Sequence, residues 1–384
     1  MTILTAQTKQ GEIIISANYS RQFLNDLKRK STFQCIQCKE EVILKRGPIK
    51  IPHFAHKRRS KCIHSFSEGE SEDHLNGKLQ LHTFFQQRNS NPQLEPYIPN
   101  IKQRPDILVH YNHSQVAIEY QCSHILPTII EDRNRGYKQH QIEPLWILRT
   151  PSISEFPPQE IGIMQLSAFR QQFFLETPTN GKMIISYCPQ TKVFHYISNP
   201  VHIQSNKYIV KVKKLPMDKQ TWPFAVVKRL SDKEYAMYFK MYRKQRFKHI
   251  NNLYFYNRKG VQNPFLEVCY RWRMSPREIP IFIGIPTAFA ESFNVHAVEW
   301  QIQWIDYLNQ IKVPIEEANR AHCEVFLQYR PIGLKQPSPI QLGAVQTYLS
   351  ILQECLIKSD ADIYKWKINR SKMYKLLYSD FLAK

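Results

Sequence analysis

The sequence lacks the long apolar run that a membrane-spanning helix needs. Its most apolar stretch, residues 279–290, is about a dozen residues long and contains two prolines and a glycine, whereas a span needs about 20 consecutive apolar residues. The first residues, Met1-Thr2-Ile3-Leu4-Thr5, lack the charged start and apolar core of a secretion signal. We therefore expect a cytoplasmic protein that has no membrane among its partners.

Cysteine is scarce, and its scarcity excludes a protein held together by disulfides. The chain has eight cysteines in 384 residues, and without a secretion signal their thiols are expected to stay reduced. Acidic residues are also under-represented, because Asp and Glu number 32 against 53 Lys and Arg, which gives a net charge of +21. An excess of this size favours a polyanionic partner, most simply nucleic acid.

Cysteine and histidine residues cluster near the N-terminus with the spacing of a zinc site. Cys35 and Cys38 form a C-x-x-C motif, and His53, His56, Cys62 and His64 follow. Zn²⁺ takes four nitrogen or sulfur ligands in a tetrahedron, and a C-x-x-C hairpin presents two thiolates together. We predict a closed structural site of Cys35, Cys38, His56 and Cys62, with His53 as the alternative histidine. A thioredoxin-like redox pair is the rival interpretation, but it needs a βαβ context.

Two β-type segments about a dozen residues apart each carry an acidic side chain: Arg104-Pro105-Asp106-Ile107-Leu108-Val109 and Val116-Ala117-Ile118-Glu119-Tyr120-Gln121. Side chains alternate between the faces of a strand, so Glu119 and Gln121 point the same way. If a turn at 111–115 pairs the strands, Asp106 lies beside Glu119. Two carboxylates and an amide oxygen suit Mg²⁺ or Mn²⁺, which can bind a scissile phosphate and activate a water molecule.

Helical segments flank these strands. One helix is predicted from about Ser67, as its N-cap, to about residue 87, and Glu70, His74 and Lys78 form a stripe on it. A solvated charged face is the alternative interpretation of that stripe. A second helix over about 127–141 carries Arg133 and Tyr137 four residues apart. With strands near 94–98, 106–111, 115–121 and 145–148, the pattern predicts an α/β layer with one small sheet.

Composition divides the chain further. Residues 151–158 are rich in Pro and Ser and indicate a linker, and the spacing becomes mostly helical from about Ser231. Residues 206–248 contain 13 Lys or Arg and three acids. We predict an N-terminal β module (1–66) with the zinc-type cluster, an α/β domain (67–150) and a basic, mainly helical C-terminal region (159–384).

These motifs, in this order, resemble the competence protein CoiA family over about residues 10–150. The resemblance is carried by the C-x-x-C…H-F-A-H…C block, Glu70-Ser71-x-x-His74-x-x-x-Lys78, Arg104-Pro105-Asp106, Glu119-x-Gln121, Arg133-x-x-x-Tyr137 and Leu145-Trp146-Ile147-Leu148. It implies a restriction-endonuclease-like PD-(D/E)xK domain, next to a zinc-ribbon-like module and a largely helical C-terminal region. It also implies a role in the recombination of incoming DNA during natural transformation.

The resemblance further implies roles for single residues. Asp106 and Glu119 resemble the metal-binding carboxylates, and Glu70, or nearby Glu72, resembles the acid that the first helix lends to the metal. Gln121 stands where the wider nuclease superfamily usually has a lysine, which positions water and offsets charge in the transition state. Gln121 adds no charge, so Lys78 is the candidate to supply it from the helix. The candidates for binding the substrate are His74, Arg133 and Tyr137.

Two functions therefore compete. The first is an Mg²⁺- or Mn²⁺-dependent DNA nuclease whose basic 206–248 segment grips the DNA backbone. The second is a zinc-containing, DNA-binding recombination accessory protein with a non-catalytic nuclease fold. The expected partners are DNA, as single strands or recombination intermediates, and other recombination proteins. The aromatics of the basic segment suit base stacking, but helical spacing equally fits a core; they are Tyr208, Trp222, Phe224, Tyr235, Tyr238, Phe239, Tyr242 and Phe247.

Overall fold

The computed structural model describes residues 2–57, 60, 62, 71–112, 114–177, 181–225, 229–329, 332, 338–358 and 366–381. The chain forms two compact units. Unit 1 contains residues 1–151, 184–196 and 213–225, and unit 2 contains residues 152–183, 197–212 and 226–384. Unit 1 therefore includes two later segments of the chain, beyond the domain boundary expected near residue 150.

The secondary structure of unit 1 begins with a β-rich module and continues as alternating strands and helices. Its elements are β1 (Thr2–Ile3), β2 (Thr5–Thr8), β3 (Ile13–Ile15), α1 (Arg21–Lys30), β4 (Phe33–Gln34), β5 (Glu41–Lys45), β6 (His53–His56), α2 (Glu72–Gln86), β7 (Gln93–Leu94), β8 (Ile107–Tyr111), β9 (Ser114–Gln121), α3 (Pro127–Gln139) and β10 (Ile142–Arg149).

The N-terminal module is a six-stranded sheet in the order β1-β6-β5-β4-β2-β3. The strands pair in antiparallel fashion. Helix α1 is capped by Ser20, whose hydroxyl accepts the N–H of Phe23, and it buries Leu24 against this sheet. The apolar core includes Phe33, Phe54 and Cys35, so the C-x-x-C motif and the strands on either side of it also build the module's interior.

A second sheet of unit 1 places β8, β9 and β10 side by side, with β7 next to β8. Strands β8 and β9 are antiparallel, whereas β9 and β10 are parallel. Parallel neighbours need a crossover connection, and α3 provides it. Helix α2 packs against β8 and β9. The predicted order of helix, three strands, helix and strand is confirmed in a mixed α/β fold.

Two predicted boundaries in this region were wrong. Helix α2 begins at Glu72 rather than near Ser67, because the Ser71 hydroxyl accepts the N–H of His74 and caps the helix there. The strand expected over 94–98 is shorter and ends at Leu94. Glu95 has a left-handed backbone with φ of 49°, and Pro96 lacks the N–H that a strand would use.

Strands β13 (Gly181–Cys188), β14 (Val193–Gln204) and β15 (Lys207–Pro216) contribute residues to both units. In unit 1, β10 continues its sheet by pairing in parallel with β13 at Leu148 and Arg149. The hairpin predicted over 183–197 is confirmed, because β13 and β14 are neighbours.

Unit 2 starts with strands and continues with helices. Its further elements are β11 (Ile161–Gln165), α4 (Ala168–Gln171), β12 (Leu175–Thr177), α5 (Asp232–Tyr256), α6 (Pro264–Arg271), α7 (Ala297–Gln310), α8 (Arg320–Tyr329), α9 (Pro339–Cys355), β16 (Leu356–Lys358), β17 (Lys367–Ile368) and α10 (Arg370–Phe381). The predicted helical character from about Ser231 is confirmed. A large apolar core forms around Trp300 and Trp304 of α7. No helix in the described ranges is long and apolar enough to cross a membrane.

Candidate functional site

Asp106 lies at the N-terminal edge of β8 and is contacted by three residues of other segments. Its Oδ2 accepts the N–H of Tyr120 at 2.8 Å and lies 3.4 Å from His74 Nε2. Its Oδ1 lies 3.6 Å from the Nζ of Lys78. Burial alone would raise the pKa of Asp106, but the charges of Lys78 and His74 and the two hydrogen bonds hold that pKa well below its ordinary value. Asp106 is therefore a charged carboxylate at neutral pH.

Glu119 lies on β9 next to Asp106. The β8–β9 register pairs Ile107 with Ile118, so one further step along both strands sets Asp106 opposite Glu119. Glu119 is buried, and its Oε1 accepts hydrogen bonds from Arg133 and from the Tyr137 hydroxyl. Burial and the neighbouring Asp106 raise the pKa of Glu119, whereas Arg133 opposes that rise. The predicted neighbourhood of the two acids is present.

Arg133 and Tyr137 hold Glu119 from one face of α3. Besides contacting Glu119, Arg133 donates to the carbonyl of Arg104 at 3.0 Å and to the Tyr137 hydroxyl at 2.8 Å. Their spacing of four residues puts both side chains of these candidate substrate-binding residues on one carboxylate. These contacts fix the orientation of Glu119 within the sheet.

Lys78 is fully buried on α2 and pairs with an acid that the sequence analysis did not identify. Its Nζ lies 2.5 Å from Oε1 of Glu95 and 3.6 Å from Oδ1 of Asp106. The other oxygen of Glu95 accepts hydrogen bonds from the backbone of the N-terminal module, namely Leu4 N at 2.9 Å and Thr5 N at 3.1 Å, and from Thr5 Oγ1 at 3.0 Å. One buried carboxylate thus connects β1 and β2 to the lysine beside Asp106.

Helix α2 approaches the sheet closely at Gly77, and this approach brings Lys78 within reach of Asp106. A Cβ at Gly77 would lie 2.0 Å from Cε1 of Tyr120, well inside van der Waals contact. Tyr120 is buried, and its hydroxyl donates to the carbonyl of Tyr187 at 3.1 Å. A glycine is required here because any larger residue would push the helix away from the ring.

The remaining predicted residues lie around this group. Gln121 is partly buried at the end of β9, and its Nε2 donates to the carbonyl of Ser123 at 2.6 Å. His74 lies beside Asp106, and its ring also makes an edge-type contact with the ring of Tyr120, with the centroids 5.8 Å apart. Glu70 lies outside the described residues, as do His64 and Ser67. Glu72, the alternative to Glu70, is exposed in the first turn of α2.

The Cys/His cluster forms where the turn between β4 and β5, which carries Cys35 and Cys38, lies beside the end of β6 at His56. The ligand atoms of Cys35, Cys38, His56 and Cys62 lie within 4.8 Å of one another, and this is the one such group of three or more donors found in the part of the chain that the structure describes. Zn–S bonds of about 2.3 Å place the sulfurs of a tetrahedral site roughly 3.8 Å apart, so the cluster needs little contraction. His53 is not a member, and its Nδ1 lies 2.8 Å from the carbonyl of Ile51.

The two cysteines of the C-x-x-C motif differ in acidity. Burial raises the pKa of Cys35, but hydrogen bonds from His56 and from the backbone of Cys38 and Gln37 outweigh burial and lower that pKa to about 6. Burial, together with the adjacent Cys35, raises the pKa of Cys38 to about 12. A divalent cation would supply the positive charge that allows both sulfurs to be thiolates.

Two family models match the chain, and they place both groups of residues in known domains. Residues 16–65 match the competence protein CoiA N-terminal domain, and residues 70–230 match the competence protein CoiA nuclease-like domain. The chain belongs to the competence protein CoiA family. It is 36% identical over 191 residues to the competence protein CoiA of Bacillus subtilis (strain 168), a match that covers 50% of this chain and 49% of that relative. No solved structure matches the chain.

The chain thus spans about half the length of this curated relative. The nuclease-like match contains Asp106, Glu119 and Lys78 and continues through β15, whereas the N-terminal match contains the four residues of the Cys/His cluster. Glu95 lies inside the nuclease-like match as well. The signal that would have revealed Glu95 is Lys78 itself, since a lysine among the apolar positions of an amphipathic helix needs a buried carboxylate.

Proposed function

We propose that this CoiA-family protein is a metal-dependent DNA nuclease of PD-(D/E)xK type that acts in DNA processing or recombination during competence. One observation carries the proposal: Asp106, directly before β8, lies next to Glu119 of the adjacent strand β9, with the ammonium of Lys78 3.6 Å from Asp106. The α2–β8–β9–α3–β10 order supports the fold assignment. Family membership supports the competence-related role.

The residues present fit Mg²⁺ or Mn²⁺ as the cofactor. Two neighbouring carboxylates repel each other, and the raised pKa of Glu119 reflects that repulsion in part; a divalent cation would relieve it. Asp106 and Glu119 would hold the ion, with Glu70 as a third acid. When bound, the ion would polarise the phosphate and lower the pKa of a water molecule.

The other side chains have roles that do not depend on the ion. Lys78 places a positive charge beside Asp106. In the wider superfamily this charge usually comes from a lysine two residues after the second acid, the position of Gln121 here. Lys78 can offset negative charge that develops on the phosphate. Arg133 and Tyr137 orient Glu119. Gln121 and His74 lie at the edge of the group, where His74 can hold or donate a proton near Asp106.

A plasmid-nicking assay with Mg²⁺ or Mn²⁺ tests the proposal. The wild type should nick DNA, and Asp106→Asn should reduce the rate to background. Lys78→Met should reduce it by about a hundred-fold, as for loss of one charge-stabilising group. Asp132→Asn is the matched control, because Asp132 is exposed on α3 and pairs with Arg135. Cleavage that persists in Asp106→Asn would refute the site.

A second function, DNA binding without cleavage, is favoured by the contacts of two residues. Gln121 carries no charge and its amide is bonded to Ser123, and Glu119 is already engaged by Arg133. This alternative requires salt-sensitive DNA binding and no metal-dependent nicking by the wild type. A double variant, Lys78→Met with Gln121→Lys, separates cleavage from binding without cleavage. If the protein is a nuclease in which Lys78 replaces the usual lysine, this double variant should regain the nicking activity that Lys78→Met loses.

We also propose that Cys35, Cys38, His56 and Cys62 bind one structural Zn²⁺. All four positions are filled by protein ligands, which is typical of a closed site without a place for substrate. Purified protein should contain one zinc per chain, measured by elemental analysis, and Cys35→Ser should lose it and unfold at a lower temperature. Cys188→Ser, which alters a partly buried cysteine outside the cluster, should retain the zinc. A metal-free wild type that is equally stable would contradict this assignment.

A further inference from the structure

An exposed aromatic run ends the longest helix of unit 2. Tyr254, Phe255 and Tyr256 close α5 with 48%, 55% and 78% of their surfaces exposed. Three adjacent large aromatic side chains facing water are unusual, because isolated apolar side chains are common on surfaces but contiguous ones mark interaction sites. Three aromatics of residues 206–248 differ from this run, since Tyr208, Tyr238 and Tyr242 are buried, whereas Phe247 is exposed as the run is.

An arginine is fixed against this run. The guanidinium of Arg277 lies 4.7 Å from the ring centroid of Phe255 and 5.8 Å from that of Tyr254. Its Nε donates to Oδ1 of Asn251, one turn earlier on α5, at 3.0 Å. Arg277 is itself exposed. We call Tyr254, Phe255, Tyr256 and Arg277 the aromatic–arginine patch.

The charge around the patch is strongly one-sided. Residues 243–278 contain nine Lys or Arg and two acids, Glu267 and Glu278. Arg246 is bonded to backbone carbonyls, and Arg271 is bonded to Glu267 and Asp306. The other seven cations are exposed, and they are Arg243, Lys244, Lys248, Arg258, Lys259, Arg273 and Arg277.

We propose that the aromatic–arginine patch is a stacking surface for single-stranded DNA. Unpaired bases stack on exposed aromatic rings and on guanidinium planes, and flanking cations bind the phosphates between them. In a duplex the bases are already stacked on one another, so it gains only the charge contribution. The choice of DNA rests on the proposed function, but the binding requires neither the metal ion nor Asp106.

Fluorescence anisotropy with the full chain and no added divalent cation tests the patch. The probes are a labelled 20-mer of deoxythymidine, an abasic strand of equal length and a 20-base-pair duplex. Tyr254→Ala, Phe255→Ala and Tyr256→Ala should each raise the dissociation constant for the base-containing strand about five-fold or more and change it little for the abasic strand. Phe255→Trp should retain binding. Because all three side chains are exposed, melting temperatures should stay unchanged.

Tyr329→Ala is the matched control, because Tyr329 is an equally exposed aromatic, at 78%, on α8; it should bind as the wild type does. The charged flank is tested separately: Lys259→Ala should weaken binding to all three probes and lower the slope of log affinity against log salt by about 0.7 for the single strand. Unchanged affinity in the three alanine variants would overturn the proposal, as would equal losses on the abasic strand. Binding to anionic lipid vesicles without binding to the single strand would overturn it too.

The same experiment separates this proposal from the nuclease. Asp106→Asn should bind the single strand as the wild type does while losing cleavage. If patch variants bind normally and Asp106→Asn is inactive, the patch alone is refuted. If the wild type binds through the patch but never cleaves DNA, the nuclease alone is refuted.

Discussion

Removing the negative charge of Glu95 tests how the N-terminal module is tied to the acidic site. Glu95 uses both carboxylate oxygens, one for Lys78 and the other for Leu4 and Thr5. Glutamine has a single acceptor oxygen, so in Glu95→Gln the NH₂ group must face either the ammonium of Lys78 or two backbone N–H groups. Either orientation sets donors against donors.

The size of the effect follows from the contact distances. At an effective dielectric constant of 20, charges separated by 2.5 Å attract by about 7 kcal/mol and charges separated by 3.6 Å by about 5 kcal/mol. Most of this attraction offsets the cost of burying the charges, and losing one partner of a buried pair costs about 3–5 kcal/mol. Since Asp106 still faces Lys78, we expect Glu95→Gln to lower the free energy of unfolding by about 3 kcal/mol.

Urea unfolding, followed by circular dichroism and tryptophan fluorescence, measures this change. Lys78→Met should cost more than Glu95→Gln, because it leaves the buried Glu95 and the partly buried Asp106 without their shared cation. The double variant should lose at least about 2 kcal/mol less than the sum of the single losses. Glu41→Gln is the matched control, since Glu41 pairs with Lys57 at 2.7 Å with both side chains more than half exposed, and it should cost less than about 1 kcal/mol. Additive losses in the double variant would refute the coupling.

Two further predictions concern packing and pH. Gly77→Ala should lower the free energy of unfolding by about 1–3 kcal/mol despite the better helix propensity of alanine, because its Cβ would meet the Tyr120 ring at 2.0 Å. Gly47→Ala is the control: nothing lies within 4 Å of its Cβ, so the free energy of unfolding should change by less than about 0.5 kcal/mol. A stabilised Gly77→Ala would disprove the close approach. Burial and nearby Lys214 lower the pKa of His195 to about 4, so the folded chain resists protonation that the unfolded chain accepts below about pH 6.5. The contribution of neutral His195 to the free energy of unfolding is complete above pH 6.5 and is lost as the pH falls towards 4. The urea midpoint of His195→Gln should therefore decline less steeply over that range than that of the wild type, and an identical decline would count against this explanation.

The local elements of the α/β region followed from sequence patterns. Alternating and β-branched residues predicted β8 and β9. The helix predicted from about Pro127 begins at that residue, and proline suits the first turn of a helix. The start of α2 was misplaced because Ser67 and Ser71 are both adequate caps by type. Only the hydrogen bond from His74 to Ser71 selects between them.

The extent of unit 1 was not readable from sequence. The parallel pairing of β10 with β13 joins residues that are 38 positions apart, and no turn residue or periodicity marks such a partner. Parallel strands carry similar apolar runs, so the run at residues 183–187 was recognised as a strand without revealing its neighbour. For the same reason, the Pro/Ser-rich stretch near residue 151 suggested that the domain ends there, although residues 184–196 and 213–225 also belong to unit 1.

The sequence by itself predicted that the cysteines and histidines near the N-terminus form one group of metal donors, and that Asp106 lies next to Glu119. Both follow from local geometry, because a short hairpin brings two strands together and side chains alternate between the two faces of each strand. The sequence also favoured His56 over His53 for the cluster, and the structure brings His56 into it. Only the tertiary structure decided that Arg133 and Tyr137 hold Glu119, and that Glu95 holds Lys78. A buried charge takes whichever opposite charge the fold brings within reach, and that partner can lie anywhere along the chain.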